Sequence, residues 1–302
     1  MQLGSLCSFL ESLFVELEPG VGCLRESPRV EANVCYTNTN YLALRALRVC
    51  GSRLAEPIER FLERYDHAGG GRFEVLWLEP IPYPPQAVKT LVLDKLEVDG
   101  NVIEVRADVP CGESLPDWGE YADLLMLAAL EKLRRGDRGA ALALRNRVLD
   151  MWDGIGFADR AYKETRLYET YKLSLYHFLA RALRVEDEVS RTIPSIVEKM
   201  VTGEGGVVTH YTESLEPKGD PNVETTSVTI LAFYSDYPER FPAGVRGEKR
   251  DGFALIPPLV APRCSRYPRS ASLEVGASGR KACTWEGVVT ALLTLLLEAL
   301  CR

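Results

Sequence analysis

The sequence predicts a mainly α protein built from helical hairpins, with one β-hairpin inserted near residues 88–109. Three observations lead to this prediction. Helix-like segments rich in Leu and Ala recur along the chain, glycine clusters follow the second helix of each predicted pair, and one stretch alternates in polarity around a tight-turn signal. The 302 residues are 46% hydrophobic and 26% charged, which is ordinary for a globular protein.

Four segments open with a polar or aromatic residue and then run into Leu and Ala at helical spacing. They are NTNYLALRAL from Asn38, YADLLMLAAL from Tyr121, YETYKLSLYHFLARAL from Tyr168 and NVETTSVTILAF from Asn222. A second helical pattern follows each of the first three, over residues 54–65, 137–152 and 186–200. Each such pair predicts an antiparallel helical hairpin.

The segments that follow the second helices begin with the glycine-containing stretches AGGG, DGIG and GEGG. Such glycines end helices because they adopt left-handed backbone at little cost. After the first of them, residues 88–109 alternate in polarity on both sides of Asp99-Gly100-Asn101. An Asp-Gly pair between alternating segments predicts a β-hairpin.

Helical pairs must stack to bury both faces, either as an open solenoid or as a closed ring. The uneven spacing of the first helices and the long loops with glycine and aromatic residues favour a ring. Over residues 36–237 this pattern resembles the α/α toroid superfamily, which includes six-hairpin glycosidases and the terpenoid cyclase and prenyltransferase group. The resemblance implies a toroid or partial toroid in which the helix starts share one rim around a central cleft.

The balance of acidic and basic residues changes near residue 241. Residues 1–241 hold 27 Lys and Arg against 38 Asp and Glu, whereas residues 242–302 hold 9 against 5. We therefore expect a helical-hairpin domain over 1–241 and a basic tail, rich in Gly and Pro, over 242–302. The tail is expected to end in a short apolar helix within 287–300, which is too short to span a membrane. The net charge of -7 argues against a nucleic-acid partner.

The eight cysteines show no C-x-x-C spacing and the three histidines are scattered, so we expect no metal and no cofactor. The first segment lacks the basic start of a signal peptide, and we therefore expect a cytoplasmic protein. Free buried thiols are the favoured state of the first five cysteines, with one or two disulfides as the alternative.

Candidate site residues lie in loops and at helix starts, which a ring would bring to one rim. Acid–base chemistry needs proton-exchanging groups within reach of one substrate atom. The predicted catalytic residues are Asp153, Asp159, Asp220 and Glu224. The predicted substrate-binding residues are Asn38, Asn40, Trp118, Trp152, Tyr168, Glu169, His210 and Tyr211. The alternative interpretation of these residues is helix capping and core packing.

These residues predict a glycoside hydrolase-like or carbohydrate-binding protein that uses paired carboxylates in a central cleft on a small-molecule or glycan ligand. The chain has no D-x-D-D or D-D-x-x-D string, which disfavours terpenoid cyclase chemistry. The alternative is a non-enzymatic helical scaffold or a toroid that binds an isoprenoid or lipid-type ligand. The hydrolase hypothesis requires at least two of the four predicted carboxylates to face one pocket with an aromatic wall.

Overall fold

The computed structural model describes residues 1–29, 33–65 and 69–243. Within these ranges the α-helices are α1 (Leu3–Ser12), α2 (Thr37–Cys50), α3 (Ala55–Tyr65), α4 (Ala122–Arg134), α5 (Arg138–Leu149), α6 (Arg160–Thr165), α7 (Thr170–Leu183), α8 (Glu188–Lys199) and α9 (Val223–Tyr234). The strands are β1 (Phe14–Glu18), β2 (Val21–Leu24), β3 (Val34–Tyr36), β4 (Gln86–Val98), β5 (Asn101–Ser114), β6 (Tyr168–Glu169), β7 (Val208–Tyr211) and β8 (Pro217–Pro221). In the same described ranges, short 3₁₀ helices cover Gly71–Trp77, Trp118–Glu120 and Pro238–Arg240.

The predicted basic tail, residues 242–302, lies outside the described residues except for its first two positions. No helix in the described ranges is both long and apolar enough to cross a bilayer.

Four helices form the centre of the molecule. Helix α2 packs on α9, α9 packs on α7, and α7 packs on α4. Nearly every residue of α4 and most of α9 are buried, so neither helix is divided into one apolar and one polar face. Helices α3, α5 and α8 pack against the helix that precedes each of them, so all three predicted helical hairpins are present.

The prediction of a mainly α toroid or partial toroid is wrong, because 49% of the described residues are helical and 23% lie in strands, which makes the fold mixed α/β. The strands form three sheets: antiparallel β1-β2, mixed β3-β5-β4, in which β3 runs parallel to β5, and antiparallel β6-β7-β8. Six of these strands are only two to five residues long. Strands this short carry too few residues to show an alternating pattern.

Two of the short strands continue directly into central helices. Strand β3 ends at Tyr36 and α2 begins at Thr37, while β6 ends at Glu169 and α7 begins at Thr170. Pairing in the sheets fixes the last strand residue in each case, since Tyr36 is in register with Arg106 and Glu169 with His210. The sheets thereby set where these two helices start.

The long hairpin of β4 and β5 turns at Asp99 and Gly100, where the sequence places its turn signal. Both residues have positive φ, 51° and 75°, which is typical of a type I′ turn. The hairpin is not a separate insertion, because β5 also pairs with β3 at the start of α2.

Two disulfides tie the N-terminal region together. Cys7–Cys50 joins α1 to the end of α2, and Cys23–Cys35 joins β2 to β3. The expectation of free buried thiols is therefore wrong for these four cysteines, and Cys111 is free. The second disulfide closes the loop between β2 and β3, which carries Glu26.

Candidate functional site

The first turns of α2, α4, α7 and α9 meet in one polar group, which we call the helix-start cluster. It combines carboxyl groups, two cations, a phenol and an imidazole around these turns. Its members are Glu26, Arg72, Asp108, Asp123, Asp159, Glu169, Tyr171, Lys172, His210 and Glu224. Helix starts carry partial positive charge, which favours carboxylates at this position.

Lys172 lies at the centre of the cluster and its side chain is only 3% exposed. Its Nζ lies 2.5 Å from Asp159 Oδ2 and 3.8 Å from Asp123 Oδ1, and it also contacts Glu169. Burial lowers the pKa of Lys172, but the three carboxylates outweigh this effect and the pKa lies above its ordinary value. Lys172 is therefore a charged lysine inside the protein.

Asp159 connects three elements. One carboxylate oxygen accepts a hydrogen bond from the Ala122 amide at the start of α4, at 2.9 Å, as well as from Lys172. The other accepts from the Tyr162 amide at 3.3 Å and caps α6. Because both oxygens are occupied by protein donors, Asp159 positions α4 and α7 relative to each other.

Asp123 lies between two cations. Its Oδ1 is 3.8 Å from Lys172 Nζ and its Oδ2 is 3.7 Å from Arg72 Nη1. The Asp123 side chain is 6% exposed, whereas that of Arg72 is 47% exposed, so the site opens to solvent on the Arg72 side. Desolvation lowers the pKa of Arg72, but the neighbouring Tyr171 and carboxylates raise it more, so the guanidinium remains charged.

Glu26 reaches the cluster from the loop between β2 and β3. Its carboxyl group accepts hydrogen bonds from Asn222 Nδ2 at 2.9 Å and from the Thr39 hydroxyl at 3.3 Å. Burial, and then the negative charge of Glu224, raise the pKa of Glu26 to about 8. Glu26 therefore holds a proton at neutral pH.

Glu224 is the second residue of α9, which Asn222 caps through the Thr225 amide at 2.9 Å. Burial raises the pKa of Glu224; Arg72 lowers it, and the neighbouring carboxylates, first among them Asp123, raise it further. Among the described residues, the Glu224 carboxyl group has neither a hydrogen-bond partner nor an ion-pair partner.

Tyr171 presents a second group without a partner. The residue is 8% exposed, and its hydroxyl makes no hydrogen bond within the described part of the chain. Asp123, Glu169, Arg72 and Glu224 all act on this phenol electrostatically, which places it among them, and burial raises its pKa well above the ordinary value.

His210 faces the cluster from β7, where it is in register with Glu169. Its Nδ1 lies 2.8 Å from the Thr209 hydroxyl. Burial lowers the pKa of His210; Glu169 opposes this effect and Lys172 adds to it, so the imidazole is neutral at pH 7.

The structure brings two of the four predicted catalytic carboxylates, Asp159 and Glu224, into the helix-start cluster. Asp153 instead accepts hydrogen bonds from the amides of Ile155 and Gly156, both at 3.0 Å, and from the Tyr168 hydroxyl at 2.5 Å. Asp220 forms an ion pair of 2.6 Å with Arg29, whose side chain is 71% exposed.

The predicted tyrosines form part of an aromatic stack. Tyr168 lies between Tyr162 and Tyr211, with ring centroids at 4.2 and 5.2 Å. Tyr211 is fully buried and its hydroxyl donates to the Ile155 carbonyl at 3.0 Å. The stack supports the β6-β7 sheet below the cluster.

The two predicted tryptophans contact other aromatic residues. Trp152 packs edge-on against Phe157 with 5.3 Å between ring centroids. Trp118 packs edge-on against Tyr83 at 5.8 Å. Both arrangements are those of side chains that fill space between elements.

The predicted asparagines attach neighbouring backbone to α2. Asn38 donates to the carbonyls of Gly69 and Asp108, at 3.2 and 3.1 Å, and accepts from the Asp108 amide at 2.6 Å. Asn40 accepts from the Leu24 amide at 2.8 Å and donates to the Leu24 carbonyl at 3.0 Å. These bonds hold β5 and the end of β2 at the start of α2.

Sequence reasoning missed Glu26, Arg72, Asp108, Asp123, Tyr171 and Lys172. Asp123 and Lys172 left a usable signal, because each is the only charged residue in the first turn of a helix whose first half is mostly apolar. Such a charge is buried with the helix and needs a partner. Glu26 and Arg72 lie outside the α-helices and strands, and nothing in their local sequence marks them.

No protein-family model, no curated protein and no solved structure matches the chain. Among the described residues, no group of His, Cys, Asp and Glu is arranged to hold a metal ion.

Proposed function

We propose that the helix-start cluster binds a carbohydrate and hydrolyses it, with Glu224 as the general acid and Asp123 as the second carboxylate. One observation carries this proposal: a carboxyl group without a protein partner, whose pKa is raised, lies near a carboxylate flanked by two cations. Glycoside hydrolysis uses two carboxyl groups in different environments, of which one gives a proton and the other activates water or attacks the sugar.

The remaining groups suit supporting roles. The carboxyl groups of Glu26 and Asp159 already accept hydrogen bonds from the protein. We therefore propose that these two residues hold α9, α4 and α7 in place. Arg72 is the most exposed cation of the cluster and is suited to contact sugar hydroxyls. The neutral imidazole of His210 can accept a hydrogen bond from the same ligand or donate one to it.

We also propose that the protein is located in the cytoplasm. Its partner would be a glycan or a small molecule and not a nucleic acid. The two disulfides are compatible with a cytoplasmic location in a hyperthermophile, where intracellular disulfides occur.

The test is hydrolysis of a panel of oligosaccharides and aryl glycosides, followed by chromatography of the products. We expect wild type to cleave at least one member, and E224Q and D123N each to lose about 10²–10⁴-fold in rate. E204Q is the matched control, since Glu204 is exposed in the loop before β7. An E224Q protein that folds and keeps the wild-type rate contradicts the assignment, as does a wild type that cleaves nothing.

The alternative of a non-enzymatic scaffold is favoured by a different observation. The side chains of Val88, Val92 and Val102 are each more than half exposed on the long hairpin. A protein without hydrolytic activity that forms a defined assembly through this hairpin would support the scaffold. An isoprenoid ligand is a poorer fit to the helix-start cluster, because apolar groups do not compensate buried charges.

A further inference from the structure

We propose that the outer edge of β4 pairs with the same strand of a second copy of this chain, so that the protein forms a two-fold symmetric dimer centred on Leu96. The occupant of this edge is a second copy because the charges of residues 94–98 complement themselves when the strand is turned end for end. The inference goes beyond the proposed function, since the dimer would form with or without hydrolytic activity.

Strand β4 lies at the edge of its sheet. It comes last in the order β3-β5-β4, and its 13 residues pair only with β5 among the described strands. The most exposed large apolar side chains of the described ranges belong to this hairpin or to the segment before it. They are Tyr83, Val88, Leu91, Val92 and Val102. A long edge strand with exposed apolar side chains is a template for pairing with another chain.

The turn of the hairpin determines which backbone groups of β4 face outward. Val98 and Asn101 flank a two-residue turn, so they exchange both backbone hydrogen bonds. Bonded pairs alternate with non-bonded pairs along an antiparallel ladder, so Lys95 and Glu97 direct their amides and carbonyls away from β5. An antiparallel copy of β4 can therefore form backbone hydrogen bonds to Lys95 and Glu97.

The side chains match in the same register. When Leu96 lies opposite Leu96 of the partner subunit, Lys95 lies opposite the partner's Glu97, and Glu97 lies opposite the partner's Lys95. Opposite charges that face each other across two strands stabilise the pairing. The two-fold axis forms this ion pair twice, which fixes the register through the charges.

Both side chains are accessible for these ion pairs. Lys95 lies 2.7 Å from Glu104 and is 61% exposed. Glu104 also pairs with Arg106, so the Lys95 ammonium group can contact a second carboxylate without leaving Glu104 alone. Glu97 is exposed and faces Val102 across the hairpin, and not a cation.

Sedimentation velocity of the full chain at concentrations up to about 1 mM tests the dimer. We expect weak association, because pairing over so few residues buries less area than a standard interface. K95E and E97K each place like charges opposite each other twice and should weaken the dimer about tenfold. K95E/E97K restores both ion pairs and should associate as wild type does. K89E changes a charge on the same strand outside this register and is the control.

The register is tested by L96C in a C111A background. Residues opposite each other in a non-bonded antiparallel pair have Cβ atoms about 4.5–5.5 Å apart, from which a disulfide is within reach. L96C should therefore form a disulfide-linked dimer in air, whereas T90C should not. Circular dichroism of each variant checks that it is folded.

A wild-type chain that stays monomeric at the highest concentration overturns the inference. A dimer that K95E and E97K leave intact, or that K95E/E97K does not restore, overturns it as well. If K95E fails to fold, E97K and L96C decide: undiminished association of E97K, or cross-linking of T90C in place of L96C, contradicts the pairing around Leu96.

Discussion

Glu26 is the residue at which burial and neighbouring negative charge act together, since both raise the pKa of its carboxyl group. Its carboxyl group is buried, lies close to the Glu224 carboxylate, and accepts hydrogen bonds from Asn222 and Thr39. In the unfolded chain it titrates near 4.5, and in the folded protein near 8. Between these values the folded state holds a proton that the unfolded state has released, so its stability falls as the pH rises.

Replacing Glu26 with Gln should remove this pH dependence while retaining the shape and the bonds to Asn222 and Thr39. We expect E26Q to be close to wild type below pH 5, and more stable than wild type by about 2–4 kcal/mol at pH 9. Urea denaturation across this pH range measures the difference. E63Q, on the exposed face of α3, is the control. A constant difference between E26Q and wild type at all pH values would show that Glu26 is not protonated in the folded protein.

At the scale of single residues, the sequence allowed prediction of Asp159, Glu169, His210 and Glu224 as polar groups at or near helix starts, and all four belong to the cluster. It did not allow prediction that Asp159 and Glu169 pair with Lys172 inside the protein. The predicted Asp153 is of the same residue type as Asp159, but it closes a turn because two amides and Tyr168 happen to lie within its reach. Such differences depend on tertiary neighbours, which local sequence does not encode.

Among the secondary-structure elements, α9 depends on Asn222 in two ways. The side-chain oxygen accepts from the Thr225 amide and caps the helix, while the side-chain nitrogen donates to Glu26. N222A should therefore lose both bonds and cost about 2 kcal/mol of unfolding free energy, of which about 1 kcal/mol is the cap. N222S keeps a capping oxygen and should lie between N222A and wild type.

Chemical denaturation of the three proteins tests this order. N146A, on the exposed side of α5, is the matched control and should change stability by less than about 0.5 kcal/mol. If N222S and N222A are equally unstable, the cap contributes nothing and the bond to Glu26 accounts for the whole loss.

The helices of the three hairpins, α9 and the long β-hairpin were predictable because each is long enough to show its own period, as α7 does over Thr170–Leu183. The short strands were not. Strand β6 has two residues and exists only because Tyr168 and Glu169 pair with β7, which lies about 40 residues later in the chain. The fold class was therefore predicted incorrectly although the central helices were placed correctly.

At the scale of the whole molecule, the two disulfides constrain the unfolded chain to different extents. Cys7–Cys50 spans 43 residues and Cys23–Cys35 spans 12. Chain entropy predicts that C7A/C50A loses about 4 kcal/mol and C23A/C35A about 3 kcal/mol. Guanidinium denaturation under oxidising conditions measures both losses, and C111A, which removes a free cysteine, is the control. The reverse order would mean that the loop carrying Glu26 depends on its disulfide for more than chain entropy.

The direct passage from strand to helix at Glu169 and Thr170 limits how related chains can change in length. One residue inserted at this junction would rotate α7 by about 100° and advance it by about 1.5 Å, because the strand before it is held by its sheet. Lys172 would then turn away from Asp159, and the same reasoning applies to Asn38 after the junction at Tyr36 and Thr37. Insertions and deletions are therefore expected to accumulate at the opposite ends of these two helices, where loops follow, and to be excluded from these two peptide bonds.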